Sequence, residues 1–329
     1  MTGVLLEVQD LEVHFRAGGL PLPGRRPRLV RAVNGVSFTL APGEALGLVG
    51  ESGCGKSTLG RAILRLGEMT GGSIRFGGAD VLADGRAGLA RLRRETAMIF
   101  QDPYNALNPR MTAGDTIAEV LKVHRKAPSG GIPARVAELL ALVGLSPEHA
   151  GRRPAALSGG QCQRVGIARA LAVEPKLIIA DECVAALDVS IQAQIINLLI
   201  ELKARMNLAL IFIAHDLAVV RRLCDRVAVM YLGRIVEEGP AEAVFATPKH
   251  PYTQALIRAI PEIDPDRRLP ADLLGGEPPS PLDLPAGCTF HPRCAFAMPE
   301  CRSGAPPVLR PADGRLAGCH LYPVPHTRA

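Results

Sequence analysis

Residues 50–57 read Gly50, Glu51, Ser52, Gly53, Cys54, Gly55, Lys56 and Ser57, a match to G-x-x-x-x-G-K-[ST]. Glycines at these positions let consecutive backbone N–H groups close around a β-phosphate. A helix starting at the loop's end adds positive potential at its N-terminus. Lys56 is spaced to reach the β- and γ-phosphates, and the Ser57 hydroxyl can ligate Mg²⁺. The apolar run Ala45–Val49 precedes the loop and a helical pattern from Thr58 to Leu66 follows it. That strand–loop–helix context makes the match specific for ATP with Mg²⁺. Cys54 reads as a small filler, because backbone groups do the binding there.

Two further clusters have the chemistry to complete such a site. Asp181 and Glu182 end the apolar run Leu177–Ala180. An aspartate at a strand tip can hold Mg²⁺, and a glutamate one residue on can orient and polarise an attacking water. Taken alone, the pair reads equally as a helix N-cap. Ser158, Gly159, Gly160 and Gln161 open a long helix-forming stretch that runs to Ala172, so they form either a simple cap or a second anion-binding helix terminus. One chain already has its phosphate loop, so a second terminus suggests that two chains sandwich one nucleotide. His215 ends another apolar run, and Gln101 stands in a loop; by themselves both are ordinary polar residues.

The elements that must carry these residues follow from apolar spacing. Residues 4–15 and Val30–Leu40 alternate apolar and polar, which predicts antiparallel strands, joined through a Gly/Pro/Arg loop at Gly18–Pro27. Ala45–Val49, Leu177–Ala180 and Leu208–Ala214 are strand-length apolar runs followed by helical periodicity, the pattern of a parallel sheet covered by helices. Helical spacing at Thr112–Val123 and Ile132–Val143 marks a helical insertion between Gln101 and Leu157. Seven prolines between Pro261 and Pro285 mark an extended linker.

Length and composition bound the class. With 329 residues and 47% hydrophobic side chains, the chain can bury one large core and carry a smaller appendage. No apolar run approaches the roughly 20 residues that a bilayer-spanning helix needs. The first residues lack a secretory pattern, which predicts a cytoplasmic location. The net charge of +6 comes from arginine clusters at 16–31 and 86–94. No aromatic residues interleave them, so they read as a solvated surface rather than a nucleic-acid groove. Four of the eight cysteines are scattered (Cys54, Cys162, Cys183, Cys224), and four crowd near the end (Cys288, Cys294, Cys301, Cys319).

Taken in order, these motifs resemble the nucleotide-binding subunit of an ABC transporter. The resemblance implies an α/β fold: a phosphate-loop parallel-sheet core, an antiparallel β subdomain and a helical subdomain at about 102–160. It makes Leu157–Gln161 the signature motif, Gln101 the Q-loop glutamine that touches Mg²⁺ or the attacking water, and Asp181 and Glu182 the Walker B pair. Asp188 in Ala186–Asp188 becomes the D-loop aspartate, His215 the contact to the γ-phosphate, and Phe15 the stacking partner of adenine, with core packing as the plainer reading of Phe15. Two positions depart from the family pattern: Cys162 follows the signature and Cys183 follows Glu182. Neither removes a group that touches phosphate.

Phe100–Pro109 and Thr247–Thr253, with the proline-rich linker, resemble the dipeptide and oligopeptide importer subfamily. That implies an ATPase domain at 1–245 and a small Cys-rich C-terminal extension at 246–329. The implied function is ATP hydrolysis powering import of di- or oligopeptides from the cytoplasmic face of the cell membrane. Implied partners are a paralogous ATPase subunit or a second copy of the chain, two membrane permeases and an external substrate-binding protein. Nickel and glutathione importers share the extension and remain alternatives. A soluble ABC ATPase acting on nucleic acid is the reading from another class, and it lacks the coiled-coil or tandem-cassette features expected there. The quartet Cys288, Cys294, Cys301 and Cys319 has C-x₅-C-x₆-C-x₁₇-C spacing, looser than a zinc ribbon, and spacing alone leaves a metal site or buried free thiols open. The subfamily resemblance implies a [4Fe-4S] cluster. Zinc with His291 or His320, and a redox-sensing tail, are the other readings.

Overall fold

The computed structural model describes residues 3–17, 28–126, 131–260, 275–312 and 315–322. The Gly18–Pro27 loop and residues 261–274 of the proline-rich linker lie outside the described residues. The chain forms two compact units, one comprising Met1–Leu6, Leu40–Ala45 and Arg75–Ile213, the other Glu7–Thr39, Leu46–Ile74 and Ala214–Ala329.

In the first unit the strands Thr96–Ile99, Leu177–Asp181 and Ala209–Ile213 run parallel, with Thr96 opposite Leu177 and Leu177 opposite Ala209. The last two are buried at every position. A sheet covered on both faces needs this uninterrupted apolar pattern, because neither side of the pleat meets water. Helices Ala113–Val123 and Gly131–Leu142 stand where the spacing places them. The first starts at a capping box in which Thr112 and Asp115 satisfy each other's backbone N–H. Ile117, Leu121, Leu139 and Leu140 supply the buried faces. The helix Val189–Met206 ends at Asn207, which takes the left-handed conformation that stops it.

The second unit departs from a purely parallel sheet. Ala45–Val49 runs parallel to Arg226–Tyr231, with Leu46 opposite Arg226, but Arg226–Tyr231 then pairs antiparallel with Arg234–Pro240. Leu232 (φ 42°) and Gly233 (φ 81°) make the two-residue turn between them. Both central φ values are positive, the geometry that matches strand twist in a tight hairpin. The short strands Arg310–Ala312 and Arg315–Ala317 extend this sheet through pairing of Ala317 with Glu237. The two N-terminal strands are Leu6–Ala17 and Arg28–Leu40, neighbours in a separate sheet. Leu5 bonds Leu40 and Asp10 bonds Ser37, so they run antiparallel.

Arg315 ties the final hairpin to the unit. Its guanidinium donates to the Ala243 and Thr247 carbonyls, both at 2.6 Å, and to the Thr247 hydroxyl at 2.8 Å. It also lies 3.9 Å from Glu237, which is fully buried. Arg315→Ala removes the guanidinium donors to the Ala243 and Thr247 carbonyls and the cation beside Glu237. The Glu237 carboxylate keeps its bonds from the Lys249 and His250 N–H groups, so we expect a loss of about 2 kcal/mol in denaturant unfolding. An unchanged unfolding midpoint would show that the contacts contribute nothing net.

Candidate functional site

The phosphate loop sits between the buried strand Ala45–Val49 and the helix Lys56–Ile63. Two glycines are required by close backbone approach: a Cβ at Gly50 would meet the Met230 carbonyl, and one at Gly55 (φ 108°) the Ala32 carbonyl. Gly53 (φ 79°) is the opposite case, with nothing within 4 Å of where its Cβ would lie. This open position, flanked by exposed Ser52, leaves the backbone accessible to an anion. Lys56 is buried and folds back on the loop, donating to Gly50 O at 2.8 Å and Glu51 O at 3.0 Å. Cys54 is buried 3.9 Å from the Lys56 ammonium. Burial pushes its thiol pKa up, with Lys56 opposing, so it stays a neutral filler. Ser57 and Thr58 are half-buried in the first helical turn.

In the other unit, Asp181 is buried at the end of its strand. The strand stops at Glu182, a non-glycine residue at φ 45°. Such a conformation costs about 1 kcal/mol or more and persists where the surroundings impose it. Here the Glu182 N–H is held by Ile213 O at 2.9 Å, and its carboxylate accepts from the Gln101 amide at 2.8 Å. Gln101 and Glu182 are therefore brought together, and in this state Gln101 holds Glu182. Cys183 behind them is completely buried, and desolvation pushes its thiol up to about 12. It packs as an apolar residue where the family pattern has proline.

Ser158 caps the helix Gly159–Leu171: its hydroxyl accepts from the Gln161 N–H, and the Gln161 side chain accepts from the Ser158 N–H. Gly160 is needed where Ile191 crosses, because a Cβ there would lie 2.6 Å from Ile191 Cγ2. Cys162 points inward onto the Pro154 carbonyl. This helix also grips the Q-loop, a link that sequence reading missed. Arg169 donates to Ala106 O at 2.6 Å, and the Tyr104 hydroxyl reaches Leu157 O at 3.4 Å. Asp188 is exposed at the start of the next helix.

His215 is exposed and borders a cavity of about 350 Å³ with Gly50, Leu217, Leu256 and Ile260. Phe15 is 50% exposed on its strand.

The metal site expected at the C-terminus finds no support among the described residues. Two of the four thiols belong to segments joined directly, Cys288 N–H bonding Cys301 O at 3.0 Å. Burial pushes the Cys319 thiol up to about 11. Yet among the described residues no group of three or more His, Cys, Asp or Glu side chains is arranged to hold a metal ion. The segment is organised by its own backbone bonds and by Phe290, which is buried against Tyr231 and Tyr252. The iron–sulfur and zinc expectations therefore lack support in the donor geometry.

Residues 33–185 match the family model described as ABC transporter, and residues 236–301 match that described as oligopeptide/dipeptide transporter, C-terminal region. The oligopeptide transport ATP-binding protein OppF of Salmonella typhimurium is 52% identical over 96% of this chain and 96% of its own length. The di/tripeptide transport ATP-binding protein DppF of Pseudomonas aeruginosa is 46% identical over 96% and 97%. Among solved structures, cbiO1 of Clostridium perfringens, part of the ABC transporter complex cbiONQ, superposes with a TM-score of 0.62 at 30% identity, covering 74% of this chain and 91% of its own. The dimeric ATP-binding cassette MJ0796, in a post-hydrolysis state with ADP and Pi, gives 0.63 at 27% identity, over 72% and 98%. With its phosphate loop, its strand-end Asp181 and Glu182 and its capped signature helix, the chain belongs to the ABC transporter family of ATP-hydrolysing, ATP-binding proteins, in the branch that carries the oligopeptide/dipeptide transporter C-terminal region.

Proposed function

We propose that this ATPase powers import of di- and oligopeptides, as a peripheral subunit on the cytoplasmic face of the cell membrane. The observation that carries this reading is the match of residues 236–301 to the oligopeptide/dipeptide transporter C-terminal region, joined to relatives whose names specify peptide transport along nearly their whole length. No described helix is long and apolar enough to cross a membrane, so other chains would form the channel. The partners proposed are a paralogous ATPase subunit or a second copy of this chain, two permeases and an external peptide-binding protein. The working division is an ATPase domain at 1–245, with its helical subdomain at about 102–160, and an extension at 246–329.

In this reading Phe15 stacks on adenine, and the backbone of Gly50–Ser57 cradles the phosphates. Lys56 transfers its hydrogen bonds from the loop carbonyls to the β- and γ-phosphate oxygens. Ser57 and Asp181 are the oxygen donors that would hold Mg²⁺, which when bound neutralises charge on the phosphates. Glu182 orients the attacking water and accepts its proton. For this its carboxylate must leave Gln101, which is then released toward the nucleotide. His215 steadies the γ-phosphate, and Ser158, Gly159 and Gly160 face the nucleotide of the partner subunit, with Asp188 at the same junction. No step is assigned to the four C-terminal thiols.

Cargo is tested with the assembled transporter. Peptide-loaded binding protein should raise its ATPase rate several-fold, while nickel and glutathione should not. Stimulation by either of those instead would move the chain to the corresponding importer.

A further inference from the structure

The phosphate loop is also held from a segment remote in sequence. Glu51, its second residue, accepts two hydrogen bonds from Arg293, from Nη1 at 2.8 Å and Nη2 at 3.0 Å. The backbone N–H of the same Glu51 donates to the Tyr252 hydroxyl at 2.8 Å. These partners are fixed by packing rather than carried on mobile surface chains. The Arg293 side chain is 5% exposed, its Nε donates to Gly275 O at 3.1 Å, and its Nη1 lies 3.5 Å from the Tyr231 hydroxyl. Tyr252 is fully buried in a ring cluster, 4.6 Å from Tyr231 and 5.4 Å from Phe290, centroid to centroid.

The arrangement answers an electrostatic difficulty in the loop itself. A carboxylate one residue after Gly50 stands in a segment built to receive a highly charged anion, and unneutralised it would oppose binding. The forked guanidinium cancels that charge in a fixed geometry. The Tyr252 phenol meanwhile settles where the Glu51 peptide points. With Lys56 bonded to the Gly50 and Glu51 carbonyls from the other side, the entry to the loop is clamped on both flanks.

We propose that Arg293 and Tyr252 are positioning residues of the phosphate loop, through which the C-terminal extension sets the chain's affinity for ATP. This rests on the phosphate-loop role of Lys56 and is independent of the cargo. The test is MgATP titration of the full chain. Arg293→Ala should weaken binding about tenfold, equivalent to about 1.4 kcal/mol. Adding Glu51→Gln to that variant should restore most of the loss, because the uncompensated carboxylate is gone. Arg293→Lys should fall between, and Tyr252→Phe should weaken binding about threefold, near 0.6 kcal/mol. Recovery in the double variant is the readout that a merely structural arginine would not give. Nucleotide-free melting separates folding from affinity; if Arg293→Ala does not fold, Tyr252→Phe and Arg293→Lys decide. Parental affinity in Arg293→Ala, or losses that simply add in the double variant, would overturn the proposal. If Lys56→Ala also bound ATP normally, the fault would lie in the site assignment rather than in the clamp.

Discussion

Glu182→Gln is expected to keep MgATP affinity within about twofold of the parental chain while lowering turnover about 10²- to 10³-fold, the usual weight of a positioned general base. The geometry favours a clean result. Glu182 is held by its own N–H to Ile213 O and by the Gln101 amide on one carboxylate oxygen, at 2.9 and 2.8 Å. A glutamine carbonyl can accept the same bond from Gln101, so the strained backbone at φ 45° and the loop stay in place. What disappears is the ability to take a proton from water. Steady-state ATPase measurements on the assembled transporter, paired with nucleotide titration, check this. Turnover at the parental rate would remove Glu182 from the chemistry.

Lys56→Ala should produce the second large effect, a loss of MgATP affinity of about 100-fold or more, near 3 kcal/mol. The ammonium is buried, and its bonds to Gly50 O and Glu51 O show it within reach of the loop's interior. Its removal takes away a charge-assisted donor to the phosphates and leaves two loop carbonyls to find other partners. Lys56→Arg should recover little, because a planar fork on a longer stem does not fit the space of a compact ammonium. Calorimetric titration of the full chain reads both. Binding as tight as the parental chain's would mean that the loop does not engage the phosphates.

The loop, the strand-end acids and the signature helix were legible in sequence because each is local. Their chemistry depends on backbone shape and on residues a few positions apart, so Gly50–Ser57, Asp181–Glu182 and Ser158–Gln161 announce themselves. The parallel strands were legible for a related reason, since uninterrupted apolar runs such as Leu208–Ala214 have few other uses. The hairpin at Leu232–Gly233 was missed because the buried pattern of Arg234–Pro240 includes Glu237 and Glu238, which read as solvent-facing until Arg315 and Arg226 come to meet them. The strands Arg310–Ala312 and Arg315–Ala317 are too short for any period to show. Arg293 could not be singled out among 38 basic residues, because its partner lies 242 positions away. The cysteine quartet is the reading that gained no support. Four thiols close in sequence suggested a ligand set, whereas burial and backbone bonds organise that segment without metal-holding geometry.

The central claim is that hydrolysis at this chain's own site drives peptide entry. The most direct measurement is uptake of labelled peptide into proteoliposomes holding the assembled transporter, with ATP on the ATPase side and loaded binding protein on the other. The account predicts ATP-dependent accumulation with the parental chain and almost none when this subunit alone carries Glu182→Gln. Accumulation at the parental rate with that variant, or none from the parental assembly under the same conditions, would contradict it.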